Sequence, residues 1–386
     1  MINKSEKKVF LKNFGCQMNV RDSEIVRGIL EECKYQFVDD ESHADIVIFN
    51  TCSVREHAEH RAISVLGSLI KKDKKRAKVF GLIGCVAKHK KEELFKSLPG
   101  LNFICGPAEI YEIGDILRDV TGNRYHVIRL SEKQRPIDNV NPAYRESKTH
   151  AFVNIAYGCN NYCSYCIVPY ARGPEVSRPV EDIAQEVSDL AKRGISHVTL
   201  LGQNVNSYSD HRPQTTDHRL KNKKYDFVCL LKVVHEIEGI KKISFVTSHP
   251  KDAGVRLFKT IAEFPKIDRY LHLPLQSGSN RILRLMHRGY TIEKYHKLIA
   301  DYRKIVPEAK LSTDIIVGFP SESEEDFIMT KKAVEEVRFN NAYIFKYSPR
   351  PPAKSSELPD DVPPEVKEKR HNILLDLQKK ISLNKI

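Results

Sequence analysis

The 386-residue chain is long enough for two or three domains with buried cores, and its 41% hydrophobic and 29% charged residues are typical of a globular protein. Its first residues lack the apolar core of a signal peptide, and no apolar run approaches the roughly 20 residues that cross a membrane. We therefore expect a cytoplasmic protein without a membrane-spanning or secreted part.

The charge and the cysteine count point to two kinds of partner. The formal net charge is +13, which favours a polyanion such as RNA, although scattered surface lysines give the same excess. Nine cysteines are an odd number in a chain without secretion signals. They indicate reduced thiols and metal ligation in preference to a disulfide framework.

Residues 1–125 repeat a strand-like run that ends in a cysteine. The runs cover residues 9–16, 45–52 and 79–85, and helical patterns separate them, the first with Asp22 as a candidate N-cap. This alternation predicts a parallel α/β domain, in which ligands gather beyond the carboxyl ends of the strands. We expect the three terminal cysteines to meet there and hold a metal cluster: Cys16, Cys52 and Cys85.

The alternative for these residues is three unrelated buried cysteines. Cys105 also ends an apolar run and is the main competitor as a ligand. Cys33 lies on the apolar stripe of the first helix and Cys229 in a predicted helix, so we interpret all three as structural.

Residues 126–150 are polar, contain two prolines and predict a linker. Strand–helix alternation then resumes, with strands predicted at 152–156, 197–201, 243–247, 270–274, 311–317 and 342–347. Six such units predict a partial (β/α)6 barrel over residues 151–386, which ends in a helix and carries its active residues at the strand carboxyl ends.

The loop after the first of these strands carries Cys159, Cys163 and Cys166 at C-x3-C-x2-C spacing. Three thiolates are one ligand short of the usual four for a [4Fe–4S] cluster, which leaves one iron open. The alternative is a zinc site completed by a distant ligand, but this spacing is unlike the paired C-x2-C pattern of zinc folds.

Other strand ends carry polar residues that can line a substrate mouth, among them Gln203, Gln276 and Asp314. His249 is interpreted as a turn cap in preference to a base. Two basic stretches, 208–224 and 286–290, are solvated surface by default, with contact to RNA phosphates as the alternative.

The aromatic Tyr165 before the last cysteine completes C-x3-C-x-aromatic-C, which resembles the radical S-adenosylmethionine (SAM) superfamily. With both cysteine sets, nearly the whole chain is similar to the radical SAM methylthiotransferases. Within them, the run Asn-Phe-Gly-Cys-Gln-Met-Asn at 13–19 resembles the branch of tRNA-2-methylthio-N6-dimethylallyladenosine synthases. The other matching stretches are 158–166, 168–173, 201–208, 247–250, 273–279 and 316–320.

This resemblance implies two [4Fe–4S] clusters that face one cavity. Cys159, Cys163 and Cys166 would hold the radical-generating cluster, and Cys16, Cys52 and Cys85 the auxiliary cluster. Tyr165, Gln203, Gln276 and Asp314 are the candidate SAM contacts.

The implied reaction places a methylthio group on C2 of N6-isopentenyl-adenosine 37 in the tRNA anticodon stem-loop. One SAM methylates sulfur at the auxiliary cluster, and a second gives the 5′-deoxyadenosyl radical that removes the C2 hydrogen. The implied partners are tRNA and a low-potential electron donor such as flavodoxin or ferredoxin, and the protein is expected to be a monomer.

Two departures from the family pattern stand out. The chain ends at Ile386, about where the family's RNA-binding TRAM module would start, and Pro174 occupies a position where relatives often carry a charged residue. The competing hypotheses are the same chemistry on another modified adenosine or on a ribosomal protein side chain, and a non-catalytic iron–sulfur protein that binds RNA.

Overall fold

The computed structural model describes residues 7–53, 56–123, 126–131, 144–211 and 224–383. The chain forms two compact units, the first from Met1–Lys148 with Val168–Pro174 and the second from Thr149–Ile167 with Glu175–Ile386. Within the described ranges, no helix combines the length and apolar character needed to span a bilayer.

The first unit contains a parallel sheet of six strands in the order β2-β1-β3-β4-β5-β6. Its central strand β3 is buried along its whole length, as expected for a strand covered on both faces. The strands are β1 Lys8–Phe14, β2 Gln36–Phe37, β3 Ile46–Thr51, β4 Val79–Gly84, β5 Phe103–Cys105 and β6 Val127–Arg129.

Helices cover both faces of this sheet. Successive residues of β3 alternate between two apolar cores, with Val47 and Phe49 on the α2 side and Ile46 and Ile48 on the α1 and α5 side. The helices are α1 Gln17–Glu32, α2 Glu56–Lys72, α3 Cys85–Lys90, α4 Glu93–Ser97, α5 Ile113–Asn123 and α6 Val168–Arg172.

Two features of this unit differ from the sequence predictions. Helix α1 begins at Gln17 with Cys16 at its N-cap, so Asp22 lies buried within the helix and the predicted N-cap is wrong. Strand β6 lies inside the predicted linker 126–150, because Val127 pairs with Phe103 through backbone hydrogen bonds that need no alternating side-chain pattern. Residues 132–143 of that linker lie outside the described residues.

The second unit contains two parallel three-stranded sheets, ordered β13-β10-β7 and β14-β15-β16, and a parallel bridge between Ile243 and Ile267 lies between them. All six predicted strands are confirmed. They are β7 His150–Asn154, β10 His197–Leu201, β13 Lys242–Phe245, β14 Tyr270–His272, β15 Lys310–Val317 and β16 Asn341–Lys346. Antiparallel pairs are formed by β8 Ala156–Tyr157 with β9 Val176–Ser177, and by β11 Ser209–His211 with β12 Lys224–Asp226.

Helices between these strands enclose a single apolar core, so the unit is the predicted partial α/β barrel. The final helix packs its buried Leu374 and Ile381 into that core. The helices are α7 Val180–Lys192, α8 Phe227–His235, α9 Val255–Glu263, α10 Asn280–Leu285, α11 Ile292–Ile305, α12 Glu324–Val337 and α13 Pro364–Leu383. Residues 212–223 of the predicted basic loop lie outside the described residues.

Candidate metal centres

The first set of cysteines leaves the six-stranded sheet at one edge. Strands β1, β3 and β4 are neighbours, and their last pairings join Phe14 to Thr51 and Thr51 to Gly84. The three cysteines follow these pairings by one or two residues: Cys16, Cys52 and Cys85. The predicted grouping at the carboxyl edge therefore follows from the sheet register.

A buried hydrogen-bond network ties these strand ends together. Asn19 Nδ2 donates to Asn50 Oδ1 (2.9 Å) and to the Thr51 carbonyl (3.1 Å), and Asn50 Nδ2 donates to the Asn19 carbonyl (2.8 Å). The Thr51 hydroxyl donates to the Ile83 carbonyl (2.8 Å). Gly84 has φ +92°, and a Cβ there would lie 2.6 Å from the Thr51 carbonyl oxygen. Only glycine fits this position without a backbone shift.

The thiols of this set share one electrostatic environment. The pKa of the Cys16 thiol is lowered to about 6, chiefly by a hydrogen bond with Cys52 and also by the nearby Arg172 guanidinium, against the effect of burial. Burial raises the pKa of Cys85, which Arg172 opposes through its charge and a hydrogen bond. Arg172 is itself held by Asp22, with its Nη2 3.0 Å from the carboxylate. The site thus favours the thiolate of Cys16, the form that binds metals.

The structure also separates these three residues from the other cysteines of the unit. Cys105 is fully buried and pairs with Ile83, two positions before Cys85, so it lies inside the sheet and not beyond its edge. Its thiol donates to the carbonyl of the next residue at 3.3 Å. Cys33 is exposed at the end of α1, so the predicted core packing of that residue is wrong.

The second set lies on the loop that follows β8. Gly158, with φ +71°, begins the loop, and the Cys166 N–H donates to the Cys163 carbonyl at 2.9 Å. Burial raises the pKa of Cys159 to about 11. A metal that binds there must therefore displace a proton, which makes loading of the site easier at higher pH.

The carboxyl end of helix α10 anchors the middle of this cysteine loop. The Ser164 hydroxyl donates to the Leu285 carbonyl (2.7 Å), and the Ser164 N–H donates to the Met286 carbonyl (3.0 Å). The half-buried Tyr165 packs against a small apolar cluster of Ile282, Met286, Phe319 and Tyr347. Segments that follow β14, β15 and β16 thus contact the residues between the second and third cysteines of this loop.

Sequence reasoning missed an arginine beside this loop. Arg288 is only 4% exposed, although it lies in the stretch 286–290 that was interpreted as solvated surface or an RNA contact. Its Nη1 lies 3.2 Å from Cys163 Sγ and 3.3 Å from the Tyr165 hydroxyl. Neither the spacing nor the local pattern of Met-His-Arg-Gly-Tyr signals this contact.

Neither set resembles a site for a single metal ion. In the part of the chain that the structure describes, no group of three or more His, Cys, Asp or Glu side chains has the arrangement to hold one ion. Thiolates on a four-iron cluster bind different irons and need not approach one another as closely as zinc ligands do. The spacing of the second set, unlike the paired C-x2-C pattern of zinc folds, favours a cluster there.

Polar atoms without partners lie at the carboxyl ends of the barrel strands. Five residues there each have a buried side-chain oxygen or nitrogen that no described residue satisfies: Gln203, Asn204, Ser248, His249 and Gln276. Buried polar atoms are rarely left unpaired, because each costs about 1–3 kcal/mol. This set favours a polar ligand at the barrel mouth.

The remaining candidate contact, Asp314, is not at a strand end. It lies within β15, three residues before Val317, and its carboxylate is 3.3 Å from His272 Nε2. It shares the face of β15 that carries Ile316, since side chains on a strand alternate. Its predicted position is therefore corrected, and its role toward SAM stays a prediction.

His249 caps a turn, as predicted. Its Nδ1 accepts the Lys251 N–H at 3.2 Å. The Asn206 side chain holds the backbone of His249: its Oδ1 accepts the His249 N–H at 2.9 Å, and its Nδ2 donates to the His249 carbonyl at 3.0 Å. Because Nδ1 is an acceptor, the ring proton is on Nε2. Burial, together with Arg288 and Lys251, lowers the pKa of His249 to about 2. The imidazole is thus a neutral donor at the barrel mouth.

We expect His249 to weaken the fold at acidic pH. Below about pH 6.5 the unfolded chain binds a proton that the folded chain does not. The free energy of unfolding therefore decreases as the pH is lowered. From pH 7 to 5 the contribution is about 2 kcal/mol. His249→Asn keeps an acceptor for the Lys251 N–H but does not titrate, so it should lose about 2 kcal/mol less over this range. Urea unfolding at both pH values measures this, and equal losses in both proteins would contradict it.

Two family models match separate parts of the chain. The radical SAM superfamily matches residues 153–334, and the uncharacterized protein family UPF0004 matches residues 8–106. The first match contains the loop with Cys159, Cys163 and Cys166, and the second contains Cys16, Cys52 and Cys85.

Solved structures support the fold. One is the structure of the radical SAM methyltransferase TsrM from Kitasatospora setae with cobalamin and a [4Fe–4S] cluster bound. It aligns with a TM-score of 0.63 at 14% identity, and the alignment covers 91% of this chain and 74% of the TsrM chain. The cobalamin-dependent SAM radical enzyme OxsB aligns with a TM-score of 0.56 at 13% identity over 97% of this chain and 56% of its own.

Curated relatives are far more similar. The tRNA-2-methylthio-N(6)-dimethylallyladenosine synthase of Thermodesulfovibrio yellowstonii is 43% identical over 380 residues, which are 98% of this chain and 84% of that protein. The enzyme of the same name from Acidovorax sp. strain JS42 is 43% identical over 98% of this chain and 82% of its own length. At this identity over nearly the whole length, the chain belongs to the family of tRNA-2-methylthio-N(6)-dimethylallyladenosine synthases, which are radical SAM methylthiotransferases.

Proposed function

We propose that this chain transfers a methylthio group to C2 of N6-isopentenyl-adenosine 37 in tRNA. The observation that carries the proposal is the pair of three-thiol sites, one at the edge of the six-stranded sheet and one on the loop after β8. An aromatic C–H bond has no useful acidity at neutral pH, so acid–base groups alone cannot open it. A reaction at that carbon needs both a radical source and a sulfur source, and two three-thiolate clusters match that need.

The two cysteine sets have different roles in this proposal. Cys159, Cys163 and Cys166 hold the radical SAM cluster, and Cys16, Cys52 and Cys85 hold the auxiliary cluster. When bound, these clusters supply a reducing electron, an open iron for the amino and carboxylate groups of SAM, and a site where sulfur is kept for transfer.

The protein's own polar groups orient the ligand at the barrel mouth. The unpaired oxygens of Gln203, Asn204 and Gln276 accept hydrogen bonds from amino and hydroxyl groups, and the Nε2–H of His249 donates to an acceptor. SAM and adenosine both carry groups of these two kinds. Tyr165 and Asp314 complete the proposed SAM contacts.

The remaining partners follow from the chemistry. A net charge of +13 suits the phosphates of a tRNA anticodon stem-loop. A low-potential donor such as flavodoxin or ferredoxin delivers the electrons, and a monomer acting in the cytoplasm, where thiols stay reduced, is sufficient.

The nucleosides of bulk tRNA test this function. In a strain without the gene, we expect the 2-methylthio form of isopentenyl-adenosine to vanish and the unmodified isopentenyl-adenosine to accumulate, as measured by mass spectrometry. A plasmid with the wild-type gene or with Cys33→Ala should restore the 2-methylthio form, because Cys33 is exposed at a helix end. Cys163→Ala should not restore it. Unchanged tRNA in the deletion strain would reject the proposed substrate.

A further inference from the structure

Arg288 is a buried cation whose hydrogen-bond partners include no carboxylate. Its guanidinium donates to Cys163 Sγ, to the hydroxyls of Tyr165 and Tyr290, and to the Pro274 carbonyl at 3.2–3.3 Å. Its side chain is 4% exposed. Among the residues that the structure describes, no acidic group forms an ion pair with it.

Two other buried arginines of the same unit are neutralised by acids. Arg178 lies 2.7 Å from the Glu186 carboxylate, and Arg370 lies 2.8 Å from that of Glu322. Burying a charge without a counter-charge costs several kcal/mol, on the order of what a small domain gains in total from folding. The contrast indicates that the counter-charge of Arg288 is something other than a described carboxylate.

The neighbouring thiol supplies that charge once it binds iron. A [4Fe–4S] cluster ligated by three thiolates is anionic in its oxidised state and gains one further negative charge when it is reduced. Arg288 Nη1 touches the sulfur of the middle ligand, so the guanidinium lies against the anion, and its Nη2 donates to the Pro274 carbonyl. The electrostatic attraction between this fixed positive charge and the cluster increases when the cluster gains an electron.

We propose that Arg288 is a positioning residue that raises the reduction potential of the cluster held by Cys159, Cys163 and Cys166, an inference that rests on the function proposed above. Both its positive charge and its hydrogen bond to the ligand sulfur stabilise the reduced state relative to the oxidised state. One electron passes from a low-potential donor, which is oxidised, and no proton moves at Arg288. Arg288 thereby makes reduction of the cluster by that donor more favourable.

A redox titration followed by electron paramagnetic resonance tests this inference on the anaerobically loaded full chain. The signal component that changes when SAM is added reports the cluster in question. At the potential where half of this cluster is reduced in the wild type, Arg288→Gln should lower the ratio of reduced to oxidised cluster at least tenfold. This corresponds to a shift of about 59 mV to more negative potential for a one-electron couple.

Matched variants separate charge from structure. Arg370→Gln removes a buried arginine elsewhere in the unit, and Tyr290→Phe removes one partner of Arg288 but keeps its charge, so both should titrate like the wild type. Arg288→Lys keeps a charge but loses the planar fork and should lower the ratio about threefold. That variant decides the question if Arg288→Gln does not retain its iron.

Three outcomes are distinguishable. An Arg288→Gln protein with full iron content and the wild-type potential would overturn the role of Arg288 and leave the proposed function standing. If only the Arg288→Lys variant holds iron, a wild-type potential in that variant would have the same meaning. A wild-type protein whose signal never responds to SAM would overturn the proposed function and this inference together. A shift in the Arg288 variants, absent from both controls, supports the inference.

Discussion

Replacing the barrel-loop cysteines together, as Cys159→Ala, Cys163→Ala and Cys166→Ala, is expected to abolish the reductive cleavage of SAM and to halve the bound iron. Two four-iron clusters imply about eight irons in the fully loaded wild type and about four in this variant. The loop is held by hydrogen bonds from the Ser164 hydroxyl and N–H that do not involve the thiols, so the fold should survive. Iron and sulfide analysis after anaerobic loading, with chromatographic detection of 5′-deoxyadenosine, measures both effects.

Cys229→Ala is the control for this prediction. Cys229 is half-buried in α8 and contacts Arg256, away from the cysteine loop, so the variant should keep about eight irons and full SAM cleavage. If the fully loaded wild-type protein contained only about four irons, the auxiliary cluster would be ruled out. Continued formation of 5′-deoxyadenosine by the triple variant would rule out the assignment of the three ligands.

The second triple variant, Cys16→Ala, Cys52→Ala and Cys85→Ala, should separate the two halves of the reaction. It is expected to lose about four irons and all methylthio product, yet still to cleave SAM, because the radical SAM cluster has its own ligands. The amide network of Asn19, Asn50 and Thr51 holds the strand ends without the thiols. The same iron assay, combined with mass spectrometry of a tRNA substrate, gives both readouts.

Cys105→Ala tests the choice among the cysteines of the first unit. Cys105 is buried inside the sheet, so its loss removes a small amount of packing but no cluster ligand. The variant should keep about eight irons and form product. If it lost about four irons while Cys85→Ala kept all of them, Cys105 and not Cys85 would be the ligand.

Much of the fold could be predicted from local pattern. The six barrel strands each appear as an apolar run bounded by turn residues, and the structure confirms all of them. Where local pattern was weak, the predictions failed. Strand β6 is held by pairing with β5, and helix α1 begins five residues before the predicted N-cap at Asp22, because Asn19 bonds back to Cys16.

The sequence by itself determined the two sets of three cysteines, because spacing within a loop and position at strand ends are properties of neighbouring residues. Only the tertiary structure showed which groups surround the thiols. Arg172 ends helix α6 and Arg288 follows helix α10, yet each lies beside a cysteine that is distant in the sequence. Arg172 is more than 80 residues from Cys85, and Arg288 is 125 residues from Cys163. The charge that a thiol experiences depends on which distant loops the fold brings against it, and no local pattern encodes that meeting.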